Sequence, residues 1–110
     1  MLTAYTIYRV GQEPEKTEAE LPSEPGYHAL KGLISPLLDG ADLEHVTVLH
    51  EGTRHDMFVD EMGSVKGLPR NEPATAIYRN NWLTQHPSVD AESIAAIYGT
   101  AILFHRRVWF

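Results

Sequence analysis

The stretch from Asp56 to Trp82, DMFVDEMGSVKGLPRNEPATAIYRNNW, limits what this chain can fold into more than any other part of it. β-favouring, turn-forming and helix-forming residues follow one another too quickly for an all-helical or all-strand domain. Met57-Phe58-Val59 is a short apolar run of strand type between Asp56 and Asp60. Asp60-Glu61-Met62-Gly63 reads as a turn, with Gly63 supplying a positive φ that other residues adopt at a cost. Ser64-Val65-Lys66 is then expected to return antiparallel and close a tight hairpin. Gly67-Leu68-Pro69 ends it, because proline cannot donate to a ladder. Asn71 has the chemistry of a helix N-cap, Glu72 suits the positive end of the helix dipole, and Pro73 is tolerated in a first turn. Ala74, Ile77, Tyr78 and Trp82 recur at helical spacing, predicting a helix from about Glu72 to Leu83 with Arg79, Asn80 and Asn81 on its polar face.

The 110 residues make one domain, 1–110, in which folding buries roughly two-thirds of the chain's surface. An apolar content of 43% is enough for a single core. No apolar run reaches the roughly 18 residues of a membrane-spanning helix, so no membrane association is expected. The opening MLTAYTIYRV lacks the basic and apolar regions of a secretory leader. Cysteine is absent, which excludes disulfides, zinc–thiolate sites and thiol catalysis, and fits a cytoplasmic location. The net charge of −6 is unevenly spread. Residues 1–61 carry 12 acidic and 4 basic side chains, whereas residues 62–110 carry 3 and 5. That balance argues against a strongly basic nucleic-acid binder, and asymmetry of this size is ordinarily a solvated face.

Elsewhere, Thr3 to Val10 alternates as a first strand, with Ala4, Thr6 and Tyr8 opposite Tyr5, Ile7 and Arg9. Residues 11–25 are acidic, Glu/Pro-rich and short of large apolar side chains, so they are expected to form a loop; a strand-like extension over Thr17 to Leu21 is the alternative. Ser23 is placed to cap a helix starting near Glu24 and Pro25, which Pro36 should end near Ile34. Asp39-Gly40 is a turn signal. Leu43 to Glu51 is a second strand, joined to the Asp56 strand as a hairpin. A helical turn is expected between Ser88 and Ser93, and a long last strand from Ile97 or Tyr98 to about Arg106, with Gly99 as a bulge or close approach. Val108-Trp109-Phe110 is expected to pack on the domain. The resulting architecture is α+β: a mostly antiparallel sheet of about four strands with two helices packed on one face.

Three constellations could carry chemistry. His45, His50 and His55 with Asp56 lie in or beside the hairpin and are the candidate metal ligands, although their spacing matches no zinc signature. Asp56, Asp60 and Glu61 could serve as acid and base, but they flank a turn where solvated carboxylates are the plainer expectation. Arg70 and Arg79 at the two ends of the second helix, with Tyr78 and Trp82, could hold a phosphate or a nucleic-acid strand. A capped helix with cations near its C-terminus explains the same residues more simply. Gly63-Ser64-Val65-Lys66-Gly67 lacks the order of a phosphate loop, and there is no GxSxG elbow.

The segment GLPRNEPATAIY after a VLHEG…MFVDEMG hairpin, followed by GTAILF, resembles domain-of-unknown-function family 3846 over roughly residues 30–105. The matching positions are Gly67, Leu68, Pro69, Asn71 and Ala74 in the corner, and Gly99, Thr100, Ala101, Ile102 and Leu103 in the late strand. The resemblance implies a small bacterial, phage or plasmid product with no assigned activity, in which these residues serve turn, corner and cap. No catalytic residue is carried over.

The reading that follows is a non-enzymatic protein-interaction or regulatory module. It has no cofactor, and its partner is a second copy of the chain or another protein. Its contact surface would be a sheet face or edge, with Arg70, Arg79, Arg106, Arg107, Trp109 and Phe110 as the candidate surface residues. The alternatives are a small metal-dependent hydrolase using the histidine region, and a nucleic-acid-associated protein of a mobile element.

Overall fold

A computed structural model describes residues 1–50 and 52–110, with the side chain of His50 outside the description. The fold is α+β, as expected, and its sheet has five antiparallel strands rather than about four. In chain order these are β1 (Leu2–Tyr8), β2 (Glu15–Glu20), β3 (Leu43–His50), β4 (Thr53–Asp60) and β5 (Ala101–Phe104), arranged β2-β1-β5-β4-β3. Helix α1 (Tyr27–Ile34) lies between β2 and β3 in the chain, and α2 (Glu72–Gln85) between β4 and β5.

Strand β5 threads between the two hairpins and pairs with β1 on one side and β4 on the other. All four of its residues are buried, which accounts for a continuous Ala-Ile-Leu-Phe run in place of an alternating one. The pleat then splits the core in two. Tyr5, Ile7, Phe58, Ile102 and Phe104 face α1, where they pack with Leu30, Ile34, Leu38 and Val108. Val48, Met57, Val59, Ala101 and Leu103 face α2 and pack with Ala74 and Ile97. The two helices are therefore divided between the faces of the sheet, where the sequence reading put them on one. Met57-Phe58-Val59 is fully buried because neighbouring residues feed different cores.

Residues 11–25 are not a loop throughout. Glu15–Glu20 forms edge strand β2, paired with β1 from Leu2↔Glu20 to Ile7↔Glu15. Its alternation is faint because only Thr17 and Ala19 are half-buried. Helix α1 starts after Gly26, with no side-chain cap, so Ser23 does not cap it. The residue before Pro25 is biased away from helical geometry, and the Ser23 carbonyl accepts from Arg106. The chain does leave the α-helix at Ile34, passing into a 3₁₀ turn, Ser35–Leu38, around Pro36.

Ser64-Val65-Lys66 belongs to a series of turns rather than to a returning strand. Gly63 does not take a positive φ. It is glycine for another reason: a Cβ there would sit 2.7 Å from the Tyr98 carbonyl oxygen. Gly99 is a close-approach point, as expected, with φ +83 and a would-be Cβ 2.7 Å from Leu68 Cδ1. The last strand is short, Ala101–Phe104, with only an isolated bridge between Tyr98 and Arg70 before it.

Asn71 caps α2 as expected, accepting from the Ala74 N–H at 3.1 Å. It is also wholly buried, and its amide donates to the carbonyls of Tyr8 and Gly99 at 2.8 and 2.9 Å. The buried face of α2 includes Ala74, Thr75 and Asn81, while Trp82 is 38% exposed. Ala74, Ile77 and Tyr78 of the expected stripe do pack on this core, so the helix is rotated only enough to bring Thr75 and Asn81 in and leave Trp82 out. Thr75 and Asn81 are drawn inward because their side chains serve backbone groups of neighbouring segments.

Candidate functional site

The pleat separates the histidines. His45 pairs with Phe58 across the β3–β4 ladder, and His55 pairs with Val48. His45 and Asp56 therefore lie on the α1 face with Phe58, and His55 lies on the other face with Met57 and Val59. The expected metal set of His45, His55 and Asp56 is split between two sides of the sheet, and the His50 side chain falls outside the described residues. Among the described residues no group of three or more His, Asp or Glu side chains could hold a metal ion. His55 instead lies 5.7 Å, ring to ring, from His105, whose Nε2 is 2.7 Å from Thr6 Oγ1.

Asp56 is the most heavily engaged carboxylate on the α1 face. It is fully buried. Its Oδ1 accepts from His45 Nε2 at 2.8 Å, and its Oδ2 accepts from the backbone N–H groups of Val108 and Trp109 at 2.7 and 3.0 Å. Arg54 stands 3.8 Å away. Burial pushes its pKa up, but the His45 bond, the two amides and the attraction of His45 together outweigh burial and hold it below the ordinary aspartate value. The Trp109 ring stacks on His45, with centroids 4.8 Å apart and planes 13° apart, and also touches Phe58. Val108 is completely buried, as expected of a packed tail, whereas Phe110 is 57% exposed. Asp60 is nearly buried too. Burial raises its pKa, but the bonds from Lys66 and the Met62 amide overcome that and leave it lowered.

The four arginines do not form one patch. Arg106 donates to Thr3 Oγ1 and to the Pro22 and Ser23 carbonyls, pinning the segment before α1 to β1. Arg107 donates to the Trp109 carbonyl and lies over the Phe110 ring at 4.6 Å. Arg79 donates twice to the Ile94 carbonyl from α2, and Arg70 pairs with Glu72. Of the six candidate surface residues, the structure brings together Arg107, Trp109 and Phe110.

Beside that tail lies the edge of the sheet. Strand β3 is terminal in the strand order, so one side of it faces no other strand. The outward backbone groups can be identified from α2: Asn81 Oδ1 accepts from Leu49 N at 2.8 Å, and Asn81 Nδ2 donates to the Thr47 carbonyl at 3.3 Å. In an antiparallel strand the groups that point one way belong to alternate residues. Leu43 and His45 therefore also direct their N–H and C=O outward, as does the Thr47 N–H. The carboxamide of Asn81 stands in for a sixth strand at one end of the edge and leaves the Leu43–Thr47 portion open. Charge guards the opposite edge, where β2 exposes Glu15, Lys16, Glu18 and Glu20. In residues 43–49 Glu44 is the one Asp, Glu, Lys or Arg. Leu43, His45 and Val46 are half-buried there, and Leu49 is exposed.

Sequence reading missed Asn81 and the role of Asp56. The signal for Asn81 was local: a carboxamide two turns after Ala74 sits on the buried side of the helix. Asp56 carried none, since its amide partners lie 52 and 53 residues away. Compared with family models, with curated proteins and with solved structures, the chain matches none of them.

Proposed function

We propose that this chain is a non-enzymatic protein-interaction or regulatory module, and that its contact surface is the open β3 edge with Trp109 and Phe110 beside it. The observation that carries this reading is the edge itself. A strand whose Leu43–Thr47 portion presents unguarded backbone donors and acceptors is a template for an added strand. The His45–Trp109 stack extends it into an aromatic rim. The His45–Asp56 pair, which an enzyme could use as a dyad, is committed to holding the amides of Val108 and Trp109. No helix among the described residues is long and apolar enough to cross a membrane, and a cytoplasmic location is part of the proposal.

Membership in domain-of-unknown-function family 3846 belongs to the same proposal. The residues that carry the resemblance converge in space: Asn71 Nδ2 donates to the Gly99 carbonyl, Gly99 N donates to the Pro69 carbonyl, and Leu68 packs against Gly99. This supports a structural purpose for the motif.

The test is capture from cell extract on the immobilised full chain, native against Thr47→Pro, which deletes one outward N–H from the edge. A partner held by the native chain and lost by the variant is the expected result. Equal capture by both, or no capture together with a monomeric native chain, overturns the reading.

A further inference from the structure

Resting on that reading, we infer that the occupant of the β3 edge is a second copy of this chain. The two β3 strands pair antiparallel about a two-fold axis through His45, so that two five-stranded sheets become one. Three observations set the partner and the register.

The first is chemical. The edge offers outward groups at Leu43 and His45 and the Thr47 N–H, while Leu49 N is already bonded by Asn81. Pairing centred on His45 sets His45 against His45 and Leu43 against the second copy's Thr47. Those pairs leave the Leu49 bond to Asn81 in place, and the Thr47 carbonyl, which has two lone pairs, takes the second copy's Leu43 N–H beside its longer bond from Asn81. A register centred on Val46 sets Leu43 against Leu49 and must strip the Leu49 N–H from Asn81. A register centred on Glu44 sets two Glu44 carboxylates directly opposite each other, and like charges so placed are destabilising.

The second is where the ladder stops. In the His45-centred register Leu49 lies opposite Ala41 of the second copy. There the chain has not yet entered β3 and is leaving the left-handed Asp39–Gly40 turn. Asn81 thus occupies the place where the second copy has no strand to offer.

The third is the guarding of the other edge. Strand β2 exposes three glutamates and a lysine, so β2 against β2 is repulsive. Alternating β3 with β2 would give an open, non-closing array, whereas β3 against β3 closes as a two-fold dimer. The axis runs perpendicular to the sheet, so the α1 faces of both copies stay on one side. The two His45–Trp109 stacks then lie astride the axis, and the exposed Phe110 rings stand beside the joint.

The natural absence of cysteine makes the register directly readable. Glu44 and the second copy's Val46 form a non-hydrogen-bonded pair, with Cα atoms about 4.5 Å apart, inside the range a disulfide spans. Glu44→Cys and Val46→Cys are purified separately and then oxidised alone and mixed. The mixed disulfide, formed several-fold more readily than either self-disulfide, is the expected result. A dominant Val46→Cys self-disulfide or a dominant Glu44→Cys self-disulfide assigns another register and overturns the proposal.

Light scattering on the native chain should give twice 12.4 kDa, falling toward the single-chain mass on dilution. Thr47→Pro should be monomeric, with an unchanged circular dichroism spectrum. A native monomer at every concentration overturns the second copy as occupant. If such a monomer still captures a protein that Thr47→Pro loses, the interaction-module reading survives and this inference alone fails. A dimer that persists in folded Thr47→Pro places the interface elsewhere and also overturns it.

Discussion

The two faces of the sheet are closed by different chemistry. On the α1 face a buried carboxylate, Asp56, gathers an imidazole and two backbone amides and so fastens the segment Val108–Trp109 over Phe58. On the α2 face neutral carboxamides and a hydroxyl do the equivalent work. Asn71 ties the start of α2 to Tyr8 and Gly99, Thr75 meets Ile97, and Asn81 reaches the β3 edge. A charge makes stronger hydrogen bonds than an amide, but it costs more to bury and it titrates. The Asp56 tie on one face should therefore be sensitive to acid and intolerant of losing its partner groups, whereas the ties made by Asn71, Thr75 and Asn81 on the other contain no titrating side chain and should be graded in their response.

The largest effect expected is from Asp56→Ala. Removing the carboxylate strands the buried Val108 amide, the part-buried Trp109 amide and the His45 donor, and breaking such a charged cluster costs about 3–5 kcal/mol. Chemical denaturation should show that loss, and the fluorescence of Trp109 should report a released ring. Asp56 also sets the pH response. Its pKa is lowered in the folded state, as is that of Asp60, so the stability each contributes is fully present above the unfolded-state value. It is lost as pH falls through the lowered folded value. Stability should accordingly hold near neutrality and fall as the solution is acidified below the ordinary carboxylate range. Asp56→Asn should flatten that fall, leaving the share due to Asp60. An unchanged acid profile in Asp56→Asn would break the contrast between the faces.

The neutral face is tested next at Asn71. Asn71→Ala removes the cap and leaves the Tyr8 and Gly99 carbonyls buried without their donor, a combined cost of about 3 kcal/mol. Asn71→Asp sharpens the point. Aspartate caps a helix as well as asparagine does, but it cannot donate to two carbonyls and would face them with a charge. Asn71→Asp should therefore be destabilised by nearly as much as Asn71→Ala, in urea unfolding near neutral pH. If it is as stable as the native protein, Asn71 is no more than a cap.

How much of this could be read in advance depended on the distance over which each cause acts. The α2 cap, the 34–38 break at Pro36, the Asp39–Gly40 turn and the β3–β4 hairpin are local, and their residues announced them. The division of the helices between two faces was also written locally: Met57-Phe58-Val59 and Ala101–Phe104 are continuous apolar runs, the mark of strands covered on both sides. Strand β2 was obscured because an edge strand that half-buries only Thr17 and Ala19 keeps the composition of a loop. The histidine cluster failed on parity. His45 and His55 are close in sequence but lie on opposite faces once the register sets His45 against Phe58 and Val48 against His55. Asp56 and Arg106 act across 52 to 103 residues of chain, and no window of sequence contains both ends of those bonds.

The smallest effect expected is also the one that bears on the edge. Asn81→Ala releases the Leu49 N–H and the Thr47 carbonyl, but both residues are exposed, so water replaces the lost partner. The cost should be about 1 kcal/mol, the net value of an ordinary hydrogen bond, and well below that of Asn71→Ala, whose stranded groups are buried. Hydrogen exchange separates the two roles that Asn81 could have. As a local cap, its loss accelerates exchange at Leu49 and leaves the amides of the β5 core unchanged. As part of the core, its loss accelerates both. The first outcome is expected, because the carboxamide is attached to the rim of the sheet rather than to its centre. That outcome also means the open portion of β3 can be lengthened toward Leu49 without loosening the fold.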